Sequence, residues 1–129
     1  MTIVAAMALT CGNGLIDKPG KGTVTTVSVE EFAKTIQQKD IWLIDVRTAK
    51  EFADGHIAGA DNYDVNQADF LDRVKNSPRY NPKKIKVAVY CRSGKRSLRA
   101  ANILAEQGFT VYNLEGGIMA WQRSRAVTK

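Results

Sequence analysis

The sequence predicts an α/β domain in which a parallel sheet is covered by helices on both faces. Three observations lead there. Short apolar runs of strand length alternate with helix-length amphipathic segments over residues 23–122, the order that builds parallel strands through helical crossovers. Two of those runs, "IWLIDV" (41–46) and "KIKVAVYC" (84–91), are apolar almost throughout, as strands buried on both faces are. The chain has 129 residues, 44% apolar and 25% charged, enough for one domain with a real core.

The elements follow in order. "TVTTV" (23–27) is a short strand rich in β-branched residues. Ser28 is a good N-cap and Glu31, three residues on, completes a capping box, so a helix should run through "VEEFAKTIQQK" (29–39). "IWLIDV" is a buried strand ending at Asp45. "TAKEFADG" (48–55) reads as a short helix stopped by Gly55, and a short strand should lie around Ala60 to Tyr63. "QADFLDRVKNS" (67–77) sets Phe70, Leu71 and Val74 on one helical face. After the second buried strand, "SLRAANILAEQ" (97–107) is a helix with Gly108 at its C′ position. "TVYNL" (110–114) is a strand, and "GGIMAWQRSRA" (116–126) closes the chain as a helix after a Gly-Gly turn. Trp42 and Trp121 fall at core positions of these patterns.

Residues 1–22 stand apart from the domain at 23–129. "MTIVAAMALTCGNGLI" has no charge before Asp17, and "DKPGKG" (17–22) is a turn or linker by its Pro and Gly content. The apolar stretch before Cys11 resembles the end of a bacterial lipoprotein signal, without a basic n-region and with a poor match at Leu9-Thr10. Two expectations stand side by side: a remnant of an export signal, with a periplasmic or lipid-anchored protein, or a simple N-terminal arm on a cytoplasmic one. Membrane association is expected only if Cys11 carries lipid, because no apolar run approaches the roughly 20 residues of a membrane span.

Charge is unevenly placed. Residues 1–72 hold six Lys/Arg against eleven Asp/Glu, whereas residues 73–105 hold ten Lys/Arg and no acid. Such a block suits an anionic small molecule, a solvated face or nucleic acid. Tyr90 is the one aromatic close to its central cysteine, too few for base stacking, so no nucleic-acid partner is expected. The two cysteines, Cys11 and Cys91, are 80 positions apart and there is a single histidine, His56. Neither a disulfide framework nor a metal site is expected.

Cys91 lies at the end of an apolar strand, with Arg92, Lys95, Arg96 and Arg99 within the next eight positions. In a parallel α/β sheet, ligands bind outside the carboxyl ends of the strands. "CRSGKRS" (91–97) joins such an end to the start of a helix, near Ser97. Successive backbone N–H groups in a turn of this kind form an anion-binding nest, and the helix N-terminus adds its own N–H groups and partial positive charge. A thiolate is therefore expected on Cys91, favoured by the helix end and the neighbouring cations.

"LIDVRTAKEFADGHIAGADNY", "VYCRSGKRS" and "LEGGIMAW", in that order, resemble a single-domain rhodanese over about residues 24–122. The resemblance implies a three-layer domain with a five-stranded parallel sheet and a sulfurtransferase activity. It also implies that Cys91 carries sulfur as a persulfide and that Arg92, Ser93, Gly94, Lys95 and Arg96 form the substrate-binding cradle. Thiosulfate or another sulfane sulfur donor would load Cys91, and a thiol or cyanide would accept the sulfur, with no cofactor and with a protein donor or acceptor left open. Asp45 and Arg47 of "DVR" either line the mouth or form a supporting structural pair; Glu51 and His56 look architectural, and Arg99 only solvated. Two alternatives stay in view. One is the Cdc25-type phosphatase and arsenate reductase class, which shares the fold but uses C-x5-R where this chain has C-x4-R. The other is a non-catalytic interaction module, against which the intact Cys91 argues.

Overall fold

The computed structural model describes residues 21–129. The expectations for the arm and for Cys11 fall on residues 1–20, outside the described residues. Among the described residues five strands and five helices alternate: β1 (Thr23–Val27), α1 (Val29–Thr35), β2 (Ile41–Asp45), α2 (Ala49–Asp54), β3 (Asp61–Asn62), α3 (Phe70–Lys75), β4 (Lys86–Tyr90), α4 (Lys95–Glu106), β5 (Thr110–Leu114) and α5 (Gly117–Gln122). The sheet runs β1-β5-β4-β2-β3, and each neighbouring pair is parallel. The fold class read from the sequence is the one observed.

Strand alternation divides the core into two halves. Trp42, Ile44, Val87, Val89 and Val111 face one way and meet Phe70 and Val74 of α3 with Ala100, Ala101 and Leu104 of α4. Leu43, Ala88, Tyr90 and Leu114 face the other way and meet Phe32 and Ala33 of α1 with Ile118 and Trp121 of α5. Each apolar side chain taken fully out of water contributes roughly 1.5–3 kcal/mol, which is why the two central strands tolerate almost no polar residue. Trp42 Nε1 donates to Asp61 Oδ2 at 2.8 Å, so this buried ring also satisfies its one donor while binding β2 to β3.

Helix α3 covers only Phe70–Lys75 of the expected segment 67–77, and three other helix limits differ from expectation. Helix α1 stops at Thr35 rather than near Lys39, because Gln37 to Asp40 are exposed and carry nothing apolar to bury. Helix α5 stops at Gln122, after its last buried residue, Trp121. Beyond it the chain folds back, with Trp121 Nε1 donating to the Ala126 carbonyl at 3.1 Å. Helix α4 begins at Lys95, not near Ser97: Gly94 occupies the N-cap position with φ 109°. That left-handed conformation suits glycine, which adopts it without a Cβ penalty.

Candidate active site

Strand β4 is central, and its last residue, Tyr90, is opposite Asp45 of β2. Cys91 follows at the carboxyl end of the sheet, 1% exposed. The loop behind it is held from two directions. From the front, the Gly94 amide donates to Cys91 Sγ at 3.0 Å. From behind, the Ile118 amide donates to the Cys91 carbonyl at 2.9 Å and the Met119 amide to the Arg92 carbonyl at 3.2 Å. The start of α5 therefore ties off the loop's carbonyls. This close approach depends on Gly117, where an added Cβ would lie 2.3 Å from the Arg92 carbonyl oxygen and 2.6 Å from that of Cys91.

Burial pushes the Cys91 thiol up, but it is outweighed: hydrogen bonds from the Ser97 hydroxyl and from the Ser97, Gly94 and Ser93 amides hold the thiol below its ordinary value. The shift is toward the thiolate, and a side-chain hydroxyl joins the loop amides in producing it. Neutral donors of the loop and the first turn of α4 lead, whereas Arg92 and Lys95 project outward and are exposed. Ser97, which the sequence marks only as a helix start, joins the residues around the Cys91 sulfur. It is fully buried, and its hydroxyl also donates to the Gly94 carbonyl at 3.2 Å. One hydroxyl proton serves one acceptor at a time, and an ionised sulfur is the stronger claimant. The available signal was a hydroxyl on the first turn of the helix that follows the cysteine loop.

The loop cations do not act alike. Arg96 turns back to Glu51 of α2 in a two-pronged pair, Nη1–Oε1 at 2.8 Å and Nη2–Oε2 at 2.9 Å. The Arg96 hydrogen bonds lower the Glu51 carboxyl to about 2. Glu51 Oε1 also accepts from the Thr48 amide at 3.1 Å, completing the capping box that starts α2. Arg96 thus braces the Cys91 loop against α2, whereas Arg92 and Lys95 have no acidic partner among the described residues.

Asp45 and Arg47 form a buried pair with Nη2–Oδ2 at 2.6 Å, and Arg47 Nη2 also reaches the Gly55 carbonyl at 2.7 Å. Asn62 Nδ2 donates to the carbonyls of both residues, at 3.0 and 2.9 Å. This network fastens the chain from β2 to α2, and Arg47 additionally lines a cavity of about 320 Å³ beside Arg92. His56 stacks on Phe52, ring centroids 3.7 Å apart, its Nδ1 lies 2.8 Å from the Phe52 carbonyl, and its backbone pairs with Thr128. The hydrogen bonds on the Cys91 sulfur come from the loop and α4. Arg99 is exposed and bonds Asn66. Among the described residues, no group of three His, Cys, Asp or Glu could hold a metal ion.

Residues 28–124 match the family model described as the Rhodanese-like domain. The chain belongs to the rhodanese-like family. This rhodanese-like chain is 32% identical over 101 residues to the thiosulfate sulfurtransferase GlpE of Shewanella oneidensis, spanning 78% of this chain and 94% of that protein. It is also 38% identical over 103 residues to a tRNA uridine(34) hydroxylase of Synechocystis, covering 78% of this chain but only 37% of the larger enzyme. The crystal structure of a rhodanese-related protein from Thermoplasma volcanium superposes with a TM-score of 0.67 at 26% identity, over 80% of this chain and 96% of that one. Relatives of this rhodanese-like domain are thus enzymes of more than one kind, sulfurtransferases and tRNA hydroxylases.

Proposed function

We propose that the chain is a sulfurtransferase that moves a sulfane sulfur from a donor such as thiosulfate to a thiol or cyanide through a persulfide on Cys91. One observation carries this reading: Cys91 is buried at the carboxyl end of the central strand, with the Gly94 amide donating to its sulfur at 3.0 Å. The likeness to a thiosulfate sulfurtransferase over nearly that whole protein supports it.

In the first step the Cys91 thiolate attacks the outer sulfur of thiosulfate. The sulfur–sulfur bond of the donor breaks, and sulfite leaves with the bonding pair. The terminal sulfur of the resulting persulfide is an anion, and the amides that held the thiolate are placed to hold it. In the second step cyanide or a thiolate attacks that outer sulfur, thiocyanate or a new persulfide departs, and the Cys91 thiolate returns. Charge balances in both steps, and neither requires a cofactor. Arg92 and Lys95 draw in the dianionic donor, and Arg96 acts through Glu51 to hold the loop in shape. A cradle closed at C-x4-R, with its arginine committed to Glu51, supports sulfur transfer over phosphoryl or arsenate chemistry.

Cys91→Ser tests the proposal. Thiocyanate formation from thiosulfate and cyanide should fall to background with the circular dichroism spectrum unchanged, and aryl phosphates should not be hydrolysed by the unmodified protein. Turnover near that of the unmodified protein in Cys91→Ser, or efficient phosphatase activity, would overturn the assignment.

A further inference from the structure

Among the described residues only two large apolar side chains are exposed, Leu98 at 44% and Met119 at 42%. Both sit beside the Cys91 loop, on opposite flanks. Leu98 lies in the first turns of α4 and lines a groove of about 710 Å³ with Lys95, Arg99, Val24 and Ile103. Met119, whose amide holds the Arg92 carbonyl, lines the cavity of about 320 Å³ with Arg92, Ile118 and Gln122. Each flank thus offers one exposed apolar side chain next to one loop cation.

The charges on these flanks are one-sided in what they leave available. Glu51 in the smaller cavity pairs with Arg96, and Asp54 pairs with Lys50 at 3.1 Å. At the far end of the larger groove Glu106 pairs with Lys21. Arg92 and Lys95 have no acidic partner among the described residues, and the partner of Arg99 is the neutral Asn66. A small anionic donor needs only the cradle, and it gives no reason for apolar anchors on either side of it. Exposed apolar groups beside unpaired cations suit a protein face of opposite charge. Neither flank has an aromatic ring in its lining on which a base could stack.

We propose that the two flanks form a docking face for an acidic protein that collects sulfur from Cys91 on its own cysteine, with Leu98 and Met119 as the apolar anchors. This rests on the sulfurtransferase reading. The near-complete burial of Cys91 is what makes docking useful. An acceptor sulfur must be held over the cradle to reach the persulfide, and anchoring on both sides converts a rare encounter into a positioned one. The partner thiolate attacks the outer sulfur, the bond to the Cys91 sulfur breaks with its pair returning to Cys91, and the partner leaves as a persulfide. Sulfur changes owner without net oxidation.

The probe is a synthetic peptide with a central cysteine, flanking leucines and several aspartates, compared with an isomer whose aspartates are asparagines. The full chain is loaded with thiosulfate, loading is read by intact mass as one added sulfur atom, and transfer to each peptide is timed. The acidic peptide should accept sulfur at least about tenfold faster than the neutral isomer, and the double variant Leu98→Gln/Met119→Gln should lose about tenfold of that rate. Cyanide-dependent turnover of the double variant should stay within about twofold, since neither residue belongs to the cradle. A serine version of the acidic peptide, followed by fluorescence anisotropy, reports docking without chemistry and should bind the unmodified chain more tightly than the double variant. Equal rates for the two peptides, or a double variant that binds and accepts like the unmodified chain, would overturn the docking face. So would displacement of the serine peptide by a short RNA but not by excess acidic peptide. A chain that binds the serine peptide yet never takes up sulfur would keep the docking face and overturn the sulfurtransferase reading instead.

Discussion

Replacing Ser97 with alanine removes a hydroxyl and little volume, and the consequence can be worked from the contacts. The hydroxyl leads the donors that hold the Cys91 thiol down, ahead of the amides of Ser97, Gly94 and Ser93. Those amides survive in Ser97→Ala. A hydrogen bond to a charged acceptor is worth about 1.5–3 kcal/mol, and about 1.36 kcal/mol corresponds to one pKa unit. The Cys91 pKa should therefore rise. The sign is fixed by which form the hydroxyl favours: it stabilises the anion, so its loss favours the thiol. Alkylation by iodoacetamide, followed across pH by intact mass, reads the thiolate directly. At a pH below both values, alkylation and sulfur loading should slow by about tenfold or more, and both should recover toward those of the unmodified chain at alkaline pH. Ser97→Thr keeps a hydroxyl and should restore most of the low-pH reactivity. An unchanged alkylation profile in Ser97→Ala would refute the assignment of this hydroxyl to the sulfur and leave it to the Gly94 carbonyl alone.

Glu51→Gln weakens the brace on Arg96 and should cost about 1 kcal/mol, since the pair is partly solvated. The Glu51 carboxyl is lowered from its ordinary value to about 2, so its contribution is complete above about pH 4.5 and disappears as the pH falls through 2. Urea melts of the two proteins should therefore differ at neutral pH and converge in acid. Gly117→Ala forces a side chain at φ 62° into the Arg92 and Cys91 carbonyls; the conformation alone costs about 1–2 kcal/mol. It should lower the thermal midpoint and reduce sulfur loading together. Raising ionic strength from about 0.01 to 0.15 M shortens the Debye length from roughly 30 to 8 Å, so the KM for thiosulfate should rise severalfold with kcat changing less. Lys95→Ala and Arg92→Ala should each reproduce part of that rise in steady-state kinetics.

The fold was legible because its signals are local. Alternating strand-length and helix-length apolar patterns give the layer order, and Ser28 caps α1 through the Glu31 amide, without the return bond from the Glu31 side chain that would complete the expected capping box. Cys91 and its loop were legible too, since a strand end, a glycine and a helix start occupy one short stretch. What escaped depends on contacts between distant positions or on conformation. The Arg96 partner, Glu51, is 45 positions away, so a cation that looks available in the sequence is spent on another helix. The α4 start reads near Ser97 in the sequence, and Gly94 brings it forward to Lys95 through its left-handed backbone. Ser97 was freed by that shift to face the sulfur, which no pattern of apolar residues could reveal.

The grip of α5 on the back of the Cys91 loop has a consequence for the order in which the protein matures during synthesis. The carbonyls of Cys91 and Arg92 are claimed by the amides of Ile118 and Met119, and β1 closes the sheet only by pairing with β5 at residues 110–114. Both events wait for the last segment of the described chain, although Cys91 itself is made some 25 residues earlier. Until then the carbonyls behind the loop lack these partners, and its shape rests on its own turn and the start of α4. The brace behind the nucleophile is the last part of its surroundings to arrive.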